Sequence, residues 1–240
     1  MGTLIIIIAA LLPVVLLWLF IWKRDPQPEP ITRLLRAVFA GMLICFPVVI
    51  VEMIIDYLLF GPWQPSSFFG TTAKAFFVAA LPEESFKLLA LWLILRKNPY
   101  FDEHFDGIVY AVCVGLGFAA VENVTYLFDN IEGWQYVAAG RALFSVPGHY
   151  AFAVLMGYYY SVYYFVKRTS KMAVFVLLVP IVAHGIYDSL IMAIEIIPDA
   201  EYFIGLLILC FIFFCVKMHK VARTKLLALI EKDQREVISA

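Results

Sequence analysis

Residues 71–95 read TTAKAFFVAALPEESFKLLALWLIL, an apolar run with Glu83, Glu84 and Lys87 near its middle. About 20 apolar residues cross the roughly 30 Å hydrocarbon core, so this stretch reads as a membrane helix. A carboxylate at that depth costs roughly 2.5–3.5 kcal/mol on insertion scales, and here two stand side by side. Such groups are held only when they face the interior of a bundle, paired or beside water. The stretch therefore predicts membrane helices packed around a polar centre, with chemistry on a water molecule as the reason for it.

The rest of the chain follows the same pattern. Its 240 residues are 63% hydrophobic and 15% charged, against about 45–50% and about 25% in a soluble domain. Apolar runs at roughly 3–22, 34–60, 71–95, 107–128, 141–166, 172–195 and 202–218 predict an all-α polytopic protein with about seven transmembrane helices. The first run has no basic residue ahead of it and no small-residue cleavage site after it, so it reads as a retained span. Residues 1–220 are expected to form the transmembrane domain. Residues 221–240 are expected to form a cytosolic tail, amphipathic enough for a short helix on the membrane surface. No basic tract points to nucleic acid, and the lipid bilayer is the evident partner. Cys45, Cys113, Cys210 and Cys215 fall in apolar runs and match no zinc spacing.

Basic residues in short loops set the orientation. Lys23, Arg24, Arg33, Arg36, Arg96, Lys97, Lys167, Arg168, Lys171 and the basic residues after Val216 fall on one side; only Lys74 and Arg141 fall on the other. The N-terminus is therefore expected outside and the C-terminus in the cytosol. The Pro-rich loop 25–30 reads as a stiff, extended cytosolic connector.

Three later spans also carry polar groups: Glu122 with Asn123, then His149, then His184 with Asp188. At about 1.5 Å per residue, Glu83 and Glu84 lie roughly 18–20 Å below the external ends of their span. The same rise puts Glu122 at roughly 9 Å, His149 at roughly 12 Å and His184 at roughly 17 Å. One shared layer in the outer half of the bilayer is the expectation. Pro82 removes a backbone donor just before the glutamates and favours a kink. Glu84 and Lys87 share a helix face, as do His184 and Asp188. Glu52 and Asp56 also share a face, but no motif surrounds them, and they read as structural or interfacial.

Four stretches, in order, carry a family resemblance: Glu83-Glu84-Ser85-Phe86-Lys87; Asp106-Gly107-Ile108-Val109-Tyr110-Ala111 running on to Gly115-Leu116-Gly117-Phe118-Ala119-Ala120-Val121-Glu122-Asn123; Pro147-Gly148-His149; and His184-Gly185-Ile186-Tyr187-Asp188. Together they resemble the PrsW family of intramembrane proteases, related to the CAAX prenyl endopeptidases. The prenyl enzymes differ in having a histidine in the place of Glu122 and an asparagine near that of Asp188. The resemblance implies a multi-pass protein of the bacterial cytoplasmic membrane. It also implies cleavage of a single-span membrane protein near its external side, such as an anti-sigma factor in a stress response.

Glu83, Glu84, Lys87, Glu122, His149, His184 and Asp188 are the candidate catalytic residues. Two mechanisms fit them. In the glutamic one, Glu84 is the preferred base and the histidines serve the oxyanion and the leaving amine. In the metal one, Glu84, Glu122, His149 and His184 hold a divalent ion such as zinc, and Glu83 is the base. No His-Glu-x-x-His motif is present, and the glutamic reading is slightly preferred. Buried carboxylates and histidines also mark proton-coupled transporters, but no internal repeat supports that class. A non-catalytic relative that binds membrane helices is the third reading.

Overall fold

The computed structural model describes residues 2–196 and 201–239, and every regular element among them is helical. Five helices are long and apolar enough to cross a membrane. They are α1 (Gly2–Trp22), α2 (Ile31–Phe60), α5 (Asp106–Asp129), α8 (Ser170–Glu195) and α9 (Glu201–Ser239). Two further runs cross the bundle in pieces. The first is α3 (Phe68–Ala73), a π-helical turn (Lys74–Ala80) and α4 (Leu81–Leu95). The second is α6 (Trp134–Gly140), a π-helical turn (Arg141–Ser145), α7 (Val146–Ser161) and a last π-helical turn (Val162–Val166). These seven helical runs coincide with the seven apolar runs of the sequence, so the chain is an all-α polytopic membrane protein.

Local chemistry sets several ends. The Ser67 side chain accepts from Gly70 N–H, and Thr169 caps α8 through Met172 N–H, each satisfying a helix-start donor. Gly61 closes α2 at φ 57°, a left-handed conformation that glycine adopts without a steric penalty.

Helix α5 is the axis of the bundle. It is buried almost from Asp106 to Ala120, and α7 is buried from Gly148 to Gly157. By contrast α1, α2 and α9 expose rows of large apolar side chains such as Leu12, Phe46, Met53 and Phe213, as a lipid-facing surface does. Small residues let the inner helices touch. A Cβ on Gly41 would run into the Val114 carbonyl, and one on Gly117 into the Val38 carbonyl, so α2 and α5 meet backbone to backbone. A Cβ on Gly115 would lie 2.9 Å from that of Ala153 and 3.4 Å from the His149 carbonyl, which seats the start of α7 against α5.

The tail differs from expectation. Residues 221–239 form no separate surface helix but continue α9, whose 39 residues run without a break. Ala222, Leu226 and Leu229 are buried in the main core. Asp233 accepts from the backbone N–H of His104 (3.0 Å) and of Phe105 (2.8 Å), and lies 2.6 Å from His104 Nδ1. The amphipathic face found its apolar partner in the protein.

Candidate active site

Two prolines prepare the site. Pro82 and Pro147 each stand in the first turn of an α-helix, and a π-helical turn precedes each. Proline lacks the N–H that would continue the ladder, and its ring crowds the carbonyl four residues back. Widening the preceding turn relieves both, and single π turns recur at functional sites. The kink expected at Pro82 takes this form. Glu83 and Glu84 follow Pro82 directly, and His149 follows Pro147 by two residues.

Lys87 is the hub. Its ammonium donates to Glu83 Oε2 and Glu84 Oε1, both at 2.8 Å, and lies 3.3 Å from His149 Nδ1. It also sits 4.3 Å from the centre of the Phe118 ring. Glu83, Glu84, Lys87, His149 and His184 are all buried, so these contacts stand in for water. With Lys87 donating to Nδ1 of His149, that ring must carry its proton on Nε2. Nε2 lies 2.7 Å from Glu122 Oε2.

Glu122 is itself held in place. Arg141 donates to the same Oε2 at 2.8 Å, and its Nε donates to Asn123 Oδ1. The Asn123 amide in turn donates to the Ala10 carbonyl of α1 at 3.0 Å. On the other flank, His184 Nδ1 lies 3.0 Å from Glu84 Oε1, and its Nε2 lies 3.2 Å from Asp188 Oδ2. With both carboxylates ionised, only a doubly protonated ring satisfies both contacts. Phe152 stacks on His184 with ring centres 4.6 Å apart. Glu83, Glu84, Lys87, Glu122, His149, His184 and Asp188 thus form one continuous network drawn from four helical runs.

A cavity of about 460 Å³ opens on this network. Glu83, Glu122, His149, His184 and Asp188 line it; Glu84 and Lys87 stand behind. Glu84 is wholly buried, and its Oε2 has no hydrogen-bond partner. The two adjacent glutamates therefore occupy different environments, one on the cavity and one in the wall.

The sequence reading gave no role to Arg141 and named Asn123 only as a polar neighbour of Glu122. Arg141 looked like a loop charge, although its place two helical turns before His149 was a signal that the two share a face. Asn123 stood beside Glu122 with no visible partner. Glu52 also lines the cavity, whereas Asp56 pairs with Lys74 at 3.1 Å near its rim.

The donors suit a metal ion by position and by chemistry. One ligand atom each from Glu83, Glu84 and His184 lie within 4.8 Å of one another. Two carboxylates and a neutral imidazole are ordinary zinc ligands; the unpartnered Glu84 Oε2 has a lone pair to give, and His184 would have to shed the Nδ1 proton that faces Glu84 to join it. His149 and Glu122 bond each other and are not part of this trio.

Comparisons with known proteins show the family to which the chain belongs. The profile of the PrsW family of intramembrane metalloproteases matches residues 29–217. The chain is 36% identical over 198 residues to Protease PrsW of Geobacillus kaustophilus, covering 82% of each protein. It is 35% identical over 187 residues to Protease PrsW of Oceanobacillus iheyensis, covering 78% of this chain and 82% of the relative. To Protease PrsW of Bacillus subtilis it is 34% identical over 193 residues, covering 79% and 84%. No solved structure matches it. The matched region contains the whole polar network and both proline-led turns, and the chain belongs to the PrsW family of intramembrane proteases.

Proposed function

We propose that this protein hydrolyses a peptide bond of a single-span membrane protein, such as an anti-sigma factor, inside the cavity beside Glu83. The bond lies near the external face of a bacterial cytoplasmic membrane, with the N-terminus of the protease outside and its C-terminus in the cytosol. The observation that carries the reading is the cavity wall itself, where Glu83, two histidines and the two carboxylates bonded to them, Glu122 and Asp188, face the same space.

Glu83 is the base. It takes a proton from a water in the cavity as the water oxygen bonds to the scissile carbonyl carbon. The sequence favoured Glu84 for this role; the role moves to Glu83 because only Glu83 lines the cavity. Lys87 fixes both glutamates by donating to each. His184, gripped by Glu84 and Asp188, presents positive charge to the developing oxyanion. The proton then passes to the amide nitrogen as the carbon–nitrogen bond breaks, with His149 at hand and oriented by Glu122.

The trio Glu83, Glu84 and His184 favours a second reading, in which these residues hold a divalent ion. Such an ion would polarise water or the carbonyl as a Lewis acid. Chelation and re-addition on detergent-purified protein, with metal analysis, separates the two readings.

Co-expression with a library of tagged single-span proteins tests the function. At least one substrate is expected to shorten with the wild type and to stay whole with Glu83→Gln accumulated at the same level. A library in which nothing shortens, or in which the shortened product persists with the variant, contradicts the proposal.

A further inference from the structure

Asp106 opens one of the stretches that identify this chain, yet it lies at the opposite end of α5 from Glu122. Sixteen residues separate the two, roughly 24 Å of helix. The proteolytic mechanism makes no use of it. Around it gather Asp25 and Glu29 from the α1–α2 loop and Asp102 and Glu103 from the α4–α5 loop. One ligand atom each from Asp25, Glu103 and Asp106 lie within 4.8 Å of one another, and so do those from Glu29, Asp102 and Asp106. Among the described residues, no lysine or arginine forms an ion pair with any of the five.

The burial of these acids is the second observation. Asp106 is 0% exposed and Asp25 6% exposed. Asp106 Oδ2 accepts from the N–H groups of Asp102 and Glu103, and Asp25 Oδ1 from that of Gln27. Their other oxygens, Asp106 Oδ1 and Asp25 Oδ2, are buried with no partner, and so is Glu103 Oε2. One unpartnered oxygen therefore comes from each member of the first trio. A buried carboxylate oxygen left bare costs several kcal/mol unless something positive meets it. The backbone N–H groups, the Gln27 amide on Glu103 and the Tyr110 hydroxyl on Glu29 (2.6 Å) hold the acids in place without neutralising them.

We propose that these five carboxylates form a binding site for a hard divalent cation of the magnesium and calcium class, tying the α1–α2 loop to the α4–α5 loop and the start of α5. The donors are all oxygen, which suits such ions and not a soft metal. The nearest imidazole, His104, is already committed to Asp233. Asp102 is exposed and Glu103 half-buried, which gives an ion a way in. The site is separate from the catalytic cavity and does not depend on the mechanism assigned there.

Terbium, a calcium analogue whose emission is excited through nearby tyrosine, reads the site directly because Tyr110 bonds one of its ligands. Detergent-purified full-length protein should show sensitised terbium emission that calcium or magnesium displaces; whichever displaces at lower concentration is the ion the site prefers. The same ion should raise the thermal midpoint by roughly 5 °C at a hundredfold excess over its Kd. Glu83→Gln should keep both effects, whereas Asp106→Asn and Asp25→Asn should lose them. If the Asn variants fail to fold, the wild-type displacement titration decides alone. Three results would overturn the proposal: no displaceable emission, a shift that survives in a folded Asp106→Asn, or a stabilisation that depends on pH and not on either ion.

Discussion

The two ends of α5 handle buried acid in opposite ways. At the Glu122 end, Glu83 and Glu84 share Lys87, Glu122 receives Arg141, and His184 bridges Glu84 and Asp188. At the Asp106 end, five acids meet no basic side chain among the described residues, and three of their oxygens are bare. Charge neutralised by the protein's own cations is fixed in place before any substrate arrives, and preorganisation of that kind lowers reaction barriers. Charge left open is a site for something from solution. We read the first region as a reaction centre and the second as a tether.

The sharpest way to break this contrast is to remove a cation or a donor at the reaction centre. His184→Ala should abolish cleavage of a tagged single-span substrate. Asp188→Ala should leave a measurable remainder, because loss of a residue that only orients a functional ring typically costs about 10–100-fold. The double variant should be no worse than His184→Ala alone, since residues acting as one unit are not additive. A multiplied effect would show that the two act separately.

Arg141→Ala tests the other flank. It should lower cleavage by about tenfold or more, by releasing Glu122 and with it His149. Arg141→Lys should restore only part, because lysine cannot donate to Glu122 and Asn123 with one fixed fork. Full activity in Arg141→Ala would mean that Glu122 needs no holding.

The scaffold between the two ends has its own test. Gly117→Ala would drive a methyl group into the Val38 carbonyl, and overpacking of this kind costs typically about 1–3 kcal/mol. The thermal midpoint should fall by several degrees, with cleavage per folded molecule little changed. An unchanged midpoint would show that α2 yields without cost.

The smallest effect expected is on pH dependence at the tether. Burial first, then neighbouring acids, pushes the carboxyl of Asp25 up to about 6 and those of Glu29 and Glu103 up to about 7. These groups face Asp102, Asp106 and Asp233 and no basic partner. The folded protein therefore holds protons that the unfolded chain has released, and stability falls as pH rises between about 4 and about 7. In chelator, the thermal midpoint should decline across that window, and a divalent ion should flatten the decline. A midpoint that rises with pH there would contradict the assignment of burial as the cause.

Much of this architecture was legible in the sequence, for a physical reason. Hydrocarbon leaves buried carboxylates and histidines few places to go, so Glu83, Glu122, His149 and His184 in four separate spans had to meet. The choice between Glu83 and Glu84 was not legible, because neighbours on a helix point about 100° apart and only packing decides which faces the cavity. Arg141 was hidden by its position near a span end, where arginine usually meets water. The Pro-rich loop read as an extended connector, yet Asp25 and Glu29 are buried. Loop residues carry no periodicity from which burial could be inferred. The tail after Val221 had the right amphipathic face but the wrong expected partner.

The central claim is that Glu83, on the cavity wall, activates the water. The most direct measurement uses purified protein in lipid vesicles with one tagged single-span substrate that the wild type cuts. Glu83→Gln should reduce the rate by at least about 100-fold, with folding and Lys87 contacts preserved by the near-identical shape of glutamine. A Glu83→Gln protein that cuts at the wild-type rate would contradict the account.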